Sequence, residues 1–220
     1  MRVVIAGANG RVGRRLGGLL VARGDQVTGI VRTPASEGEL VASGIEPVVL
    51  DLETSSVDEV AAVVVDHDAV VFAAGTKLGA EAEADRKDKV DRAAAILLAD
   101  AGAEAAVRRY LMMSSMGVDA LDRGPLPEGL DEVYLRAKHA AEEGVRARPV
   151  LDLTVVRPGR LTDTPGTGRV SLGRDLPFGP VSRDDVAAVM LALLDAPSTG
   201  AVLEVVAGST PVDEAVAAVL

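Results

Sequence analysis

The chain has 220 residues, 48% of them hydrophobic, and a formal net charge of −10. That supplies enough apolar material for one α/β core, while the acidic balance gives nucleic acid or an anionic membrane no electrostatic footing. It has no cysteine, which excludes disulfides, thiolate metal sites and cysteine nucleophiles and fits a reducing cytoplasm.

Val3-Val4-Ile5-Ala6 opens the chain as a short β-branched run, a strand rather than a signal peptide. Gly7-Ala8-Asn9-Gly10-Arg11-Val12-Gly13 follows, and Arg14–Ala22 reads as a helix. Further strands are predicted at Gln26–Val31, Pro47–Leu50, Ala69–Ala73, Arg109–Met113 and Leu153–Val156. Helical patterns at Ser36–Ser43, Val57–Val65, Ala82–Gly102 and Asp131–Arg146 alternate with them. Every apolar run is broken before it reaches the length of a membrane span. Alternating strands and amphipathic helices predict an α/β fold, a doubly wound parallel sheet covered on both faces. After Arg157-Pro158-Gly159 the chain changes character. Leu161–Pro180 reads as loop with one short strand at Arg169–Leu172. Ser182–Leu194 is a helix with Ser182 as its N-cap, Ala201–Val206 a strand, and Pro211–Leu220 a last helix. Residues 1–220 are expected to form a single domain, in which 158–220 contribute a small lobe on the substrate side.

A strand, a glycine-rich turn and a helix in that order make a site for a pyrophosphate. Glycine lets the backbone approach the phosphates, and the helix N-terminus presents N–H groups and a positive dipole end. The dinucleotide is therefore expected against Gly7, Asn9, Gly10, Arg11, Val12 and Gly13. In an NAD site an acid ends the second strand and binds the ribose hydroxyls. Here Arg32 stands in that place, and guanidinium matches a phosphate in charge and geometry. This predicts NADP over NAD; the alternative is an ordinary surface arginine. Arg11 and Arg14 stand near the same mouth. Asp51-Leu52 follows the third strand, where an Asp borders the adenine or simply shapes the turn. The small residues Ala73, Ala74 and Gly75 let a dinucleotide pass over the sheet edge. His67 and His139 are isolated and read as structural, and no metal site is expected.

The second half carries the candidate chemistry. Ser114 and Ser115 end the fifth strand. Tyr134 and Lys138 stand four apart in Tyr134-Leu135-Arg136-Ala137-Lys138, which puts them on one helix face. A cation beside a phenol favours its ionised form, as general acid–base work requires. The alternative is a helix-surface pair that contributes only packing.

Gly7-x-x-Gly10-x-x-Gly13, the strand-end serines, Tyr134-x-x-x-Lys138 and Val156-Arg157-Pro158-Gly159 occur in order. Together they resemble the atypical short-chain dehydrogenase/reductases, close to the NmrA-like and small sugar-epimerase-like NAD(P)-binding proteins. Leu161-Thr162-Asp163 and Ser182-Arg183-Asp184-Asp185-Val186-Ala187 are similar to the same subgroup. The resemblance implies a Rossmann fold and NADP binding. It implies that Tyr134 exchanges the proton, that Lys138 binds the nicotinamide ribose, and that Ser115, with Ser114 as fallback, hydrogen-bonds the substrate oxygen. Arg157, Pro158 and Gly159 would line the nicotinamide end. The substrate would be a small molecule enclosed by Leu78–Glu83, Met116–Glu128 and Leu161–Pro180, on a monomer or homodimer. Three functions share these parts: a carbonyl or alcohol oxidoreductase, an epimerase working through a transient keto intermediate, and an NADP-binding redox sensor or regulator that turns over nothing. A structural or assembly factor that uses the fold as a platform is a fourth.

Overall fold

Alternation along the first strand decides the architecture. β1 (Arg2–Ala6) is buried from Val3 onward. Val3 and Ile5 enter one core, Val4 and Ala6 the other, as a side-chain period of two requires. The computed structural model describes residues 1–75, 92–121, 126, 131–197 and 200–220. Among them, β2 (Gln26–Val31), β3 (Glu46–Val49), β4 (Ala69–Phe72), β5 (Arg109–Met113), β6 (Asp152–Pro158), β8 (Arg169–Gly173), β10 (Val202–Ala207) and β11 (Thr210–Pro211) join β1 in one nine-stranded sheet. The order is β11-β8-β10-β6-β5-β4-β1-β2-β3. The chain winds outward from β1 to β3, then crosses to β4 and winds the other way, so the order reverses between β1 and β4. β7 (Arg160–Thr162) and β9 (Pro180–Ser182) form a separate parallel pair.

Seven helices among the described residues cover the sheet. α1 (Arg11–Arg23), α2 (Glu37–Ala42), α6 (Arg183–Asp195) and α7 (Val212–Ala217) pack on the face of Val3 and Ile5; α3 (Val57–Val64), α4 (Ala94–Glu104) and α5 (Glu132–Arg146) pack on the other. α1 buries Val12, Leu16 and Leu20, each four residues on, and stops at Gly24, whose φ of +93° favours glycine. α3 starts at Ser56 in a reciprocal capping box with Glu59. No helix of the described residues is long and apolar enough to cross a membrane.

The strands and helices lie within three residues of the sequence expectations: α1 begins at Arg11, a turn earlier than expected, and α7 ends at Ala217 rather than Leu220. Of the long helix expected over Ala82–Gly102, residues 82–91 fall outside the described residues, and α4 continues to Glu104. The region 161–180 holds more structure than its composition suggested. β7 pairs with β9 about twenty residues on, and β8 runs antiparallel between β10 and β11, so the sheet is mostly rather than wholly parallel. Strands of two or three residues carry no periodicity of their own; distant pairing partners create them.

Tyr110 is fully buried on β5 and donates its hydroxyl hydrogen to the Ala95 carbonyl at 2.9 Å. Burial pushes its phenol well above the ordinary tyrosine value. A raised folded value means that its contribution to stability is complete below the unfolded pKa and is lost as pH rises above it. The chain has two tyrosines. In an alkaline titration, one equivalent of tyrosinate absorbance should appear only together with loss of the far-UV dichroism; full absorbance from a chain still folded would contradict this.

Candidate functional site

Close contacts shape the glycine turn. Gly7 has φ +84°, and a β-carbon there would lie 2.6 Å from the backbone nitrogen of Ala74. The ends of β1 and β4 therefore meet through Gly7. Its carbonyl accepts the Gly10 N–H at 2.9 Å, and a β-carbon on Gly13 would come within 2.2 Å of the same oxygen. A β-carbon on Gly10 would lie 3.0 Å from it. The spacing of the three glycines thus lets α1 begin directly over the end of β1. Gly10 is the N-cap, with extended backbone and no side-chain cap bond, and the first turn of α1 contains no acid. The first N–H groups and the positive dipole end are presented at the β1–β4 crevice, an arrangement suited to an anion.

The basic side chains around this turn each meet a carboxylate. Arg11 donates to Asp163 and Arg14 to Glu39, both at 2.8 Å, and Arg32 to Glu53 at 3.2 Å. Asn9 donates to the Ser36 hydroxyl at 3.0 Å. The Arg32 side chain is 49% exposed, and an exposed pair of this kind is held by only about 0–1 kcal/mol. A phosphate could therefore replace Glu53 as its partner. Asp51 shapes its own turn: its carboxylate accepts the Glu53 N–H at 3.0 Å, and its carbonyl accepts from Thr54 and Ser55. Leu52 leans on the core beside α3. His67 is held through Nδ1 to the carbonyls of Val64 and Val65 and through Nε2 to Thr28.

Asp163, just after β7, ties that strand to the start of α1. Besides Arg11 it meets Arg183 at 2.9 Å and Arg15 at 3.7 Å. Desolvation alone would raise its carboxyl, but the Arg183 charge and the hydrogen bond from Arg11 hold it below the ordinary carboxylate range. The loop that follows is pinned by buried Asp185, which accepts the backbone N–H groups of Thr167 and Gly168.

α5 brings the candidate acid–base pair to the same crevice. Asp131 caps it by accepting the Tyr134 N–H at 2.9 Å. Lys138 is 1% exposed. Its Nζ donates to the Ala74 carbonyl at 3.3 Å and lies 5.7 Å from the ring centres of both Phe72 and Tyr134. Tyr134 is half-buried. Ala73, Ala74 and Gly75 thus lie between the glycine turn and Lys138, with Ala74 touching both.

The structure separates the two serines. The Ser114 hydroxyl donates to the Glu142 carboxylate in the interior, whereas Ser115 donates to the Met116 carbonyl at 3.0 Å. The Ser114 hydroxyl hydrogen is thus directed at Glu142. The Arg157 side chain is held by carboxylates. It makes a bidentate pair with Glu142, at 2.9 and 2.6 Å, and bonds Asp119 at 2.6 Å. Desolvation opposes its charge, but Glu142 and Asp119 raise its pKa above the ordinary guanidinium value. An apolar strand cannot hold a bare cation, so the partners decide where this side chain goes. Pro158 accepts the Met116 N–H at 3.0 Å, and a β-carbon on Gly159 would meet the Gly179 carbonyl at 2.1 Å; that glycine serves the crossing of β7 and β9. Of the pocket-lining loops expected, residues 78–83, 122–125 and 127–128 lie outside the described residues.

Glu142 and Asp119 are the residues that motif reasoning missed. The signal for Glu142 was present: it stands four past Lys138 and eight past Tyr134, on a helix that also buries Leu135, Ala141 and Val145. A carboxylate at that spacing demands a cation, and Arg157 at the end of an apolar strand demands an anion.

A family model of NAD(P)H-binding proteins matches residues 7–197. A Bacillus subtilis protein described as an uncharacterized sugar epimerase is 37% identical over 217 residues, covering 98% of each chain. A solved structure from Bacillus halodurans, described as a candidate NAD-dependent epimerase/dehydratase, superposes with a TM-score of 0.88 at 33% identity over 100% of both chains. A wide-type short-chain dehydrogenase/reductase from Veillonella parvula, solved with NADP, has a TM-score of 0.70 at 17% identity over 93% of each chain; at that identity the likeness is one of fold. The glycine turn, the β1–β4 reversal and these matches agree, and the chain belongs to the NAD(P)H-binding family.

Proposed function

We propose that this protein is an NADP-dependent oxidoreductase acting on a small carbonyl or alcohol, with Tyr134 exchanging the proton. The observation that carries the reading is the meeting at Ala74. Its backbone abuts Gly7 of the pyrophosphate turn and its carbonyl holds Lys138. The switch point of a doubly wound sheet is where such a fold binds its ligand.

The residues present fit a dinucleotide. The glycine turn and the α1 N-terminus would hold the pyrophosphate, Arg32 the 2′-phosphate, Asp51 and Leu52 the adenine side, and Lys138 the nicotinamide ribose. Ala74, Gly75 and Pro158 would flank the nicotinamide. When bound, NADPH supplies a hydride to the substrate carbon. Tyr134 would give its phenolic proton to the substrate oxygen, and Lys138 would stabilise the charge left behind. Ser115 would hydrogen-bond that oxygen. An epimerase would use the same groups in both directions, a reading supported by the description of the Bacillus subtilis relative. A net charge of −10 supports a small-molecule substrate over nucleic acid, and the absence of cysteine supports work in a reducing cytoplasm.

Cofactor choice is the direct test. NADPH should bind more tightly than NADH in a fluorescence or calorimetric titration. Arg32→Ala should weaken NADPH by about 1–3 kcal/mol, the range for a charge-assisted bond, and leave NADH nearly unchanged. Equal affinity for both cofactors in the unmutated protein would overturn the assignment of Arg32.

A further inference from the structure

We propose that Glu142 is the positioning residue of this site: it locks α5 in the register that delivers Lys138 to the nicotinamide ribose. The inference rests on the assignment of Lys138 proposed above. Tyr134, Lys138 and Glu142 are spaced by four and share one face of α5. Lys138 and Glu142 are each 1% exposed. Lys138 reaches the end of β4 through the Ala74 carbonyl. One turn further on, Glu142 reaches the ends of the next two strands, accepting from Ser114 after β5 and from Arg157 on β6. Arg157 in turn bonds Asp119, in the short helical turn after β5.

These bonds fix the helix in a way that apolar packing does not. Burying a carboxylate and a guanidinium is expensive, and well-packed apolar residues often hold an interface as firmly. Such a contact tolerates small slides and rotations. A bidentate guanidinium–carboxylate pair with a third donor on the same carboxylate fixes distance and orientation together. A one-residue slip of α5 would carry Lys138 about 1.5 Å along the axis and about 100° around it, away from Ala74. The pair therefore sets helix register, and its effect appears at the residue one turn away.

The experiment compares two ligands on the full chain. NADPH spans the whole site, whereas adenosine 2′,5′-bisphosphate carries the adenosine half and lacks the nicotinamide ribose. Lys138→Met should lower NADPH affinity about tenfold, the worth of one charge-assisted bond, and spare the bisphosphate. Glu142→Gln should produce the same NADPH-selective loss. In the Lys138→Met background it should add little, because both changes remove one interaction. Equal losses for both ligands, or a full additive loss on top of Lys138→Met, would make Glu142 a stability residue and overturn the inference. Should Glu142→Gln not fold, Glu142→Met with Arg157→Met removes both buried charges. That double variant should fold and still lose NADPH selectively; unchanged NADPH affinity in it would overturn the inference equally. Failure of the unmutated protein to bind NADPH, or full NADPH affinity in Lys138→Met, would instead overturn the functional reading, and the inference with it.

Discussion

Replacing Tyr134 with phenylalanine should leave the fold and the NADPH affinity intact while slowing carbonyl reduction by about 100-fold or more, the usual worth of a placed general acid. The substitution removes one oxygen. The cap of α5 survives, because Asp131 accepts from the backbone N–H of residue 134 and not from its side chain. The ring remains for Lys138, whose Nζ lies 5.7 Å from its centre, and buried Leu135 and Ala137 still seat the helix. Any loss therefore reports on the proton. The measurement is NADPH oxidation, followed by absorbance, over a panel of small aldehydes, ketones and quinones. An unmutated protein that binds NADPH but oxidises it with none of them favours the NADP-binding regulator over the enzyme. Full activity of Tyr134→Phe on any substrate would show that the tyrosine is not the proton relay. The hydride acceptor would then be one that needs no proton from the protein, such as a flavin or a quinone.

Gly13→Val should abolish nucleotide binding. The added β-carbon would lie 2.2 Å from the Gly7 carbonyl oxygen, the same oxygen that accepts the Gly10 N–H. Neither atom belongs to a flexible side chain, so α1 must lift from the end of β1 and its first N–H groups lose their aim. Overpacking of this kind costs about 1–3 kcal/mol of stability, so the chain should still fold. Gly18→Ala is the control on the same helix. Its β-carbon meets nothing within 4 Å; it should stabilise α1 by about 0.5–1 kcal/mol and leave binding unchanged. Normal NADPH affinity in Gly13→Val would place the nucleotide somewhere other than this turn.

Much of the architecture was legible because its signals are local. β-branched runs bounded by glycine and polar residues mark β1, β2 and β4, helical spacing marks α5, and Ser182 as N-cap marks the start of α6. The glycine spacing announced the turn over β1, since backbone approach demands glycine wherever it occurs in the chain. Tyr134 and Lys138 were legible as a pair for a similar reason: four residues make one helical turn.

What the sequence by itself determined, then, is what neighbours within a few residues dictate: the longer strands of the main sheet, the Ser182 cap, the glycine turn, and the shared helix face of Tyr134 and Lys138. Tertiary structure alone decided the partners. Asp163 meets Arg11 across 152 positions, Lys138 meets Ala74 across 64, and Arg157 meets Asp119 across 38. The same holds for the pairing of β7 with β9 and the reversed direction of β8. A charged side chain declares in sequence that it needs a counterion, but the winding of the sheet chooses which one. For that reason Arg157, which the sequence showed only as part of a motif, is held by Glu142, where burial leaves a guanidinium no stable alternative.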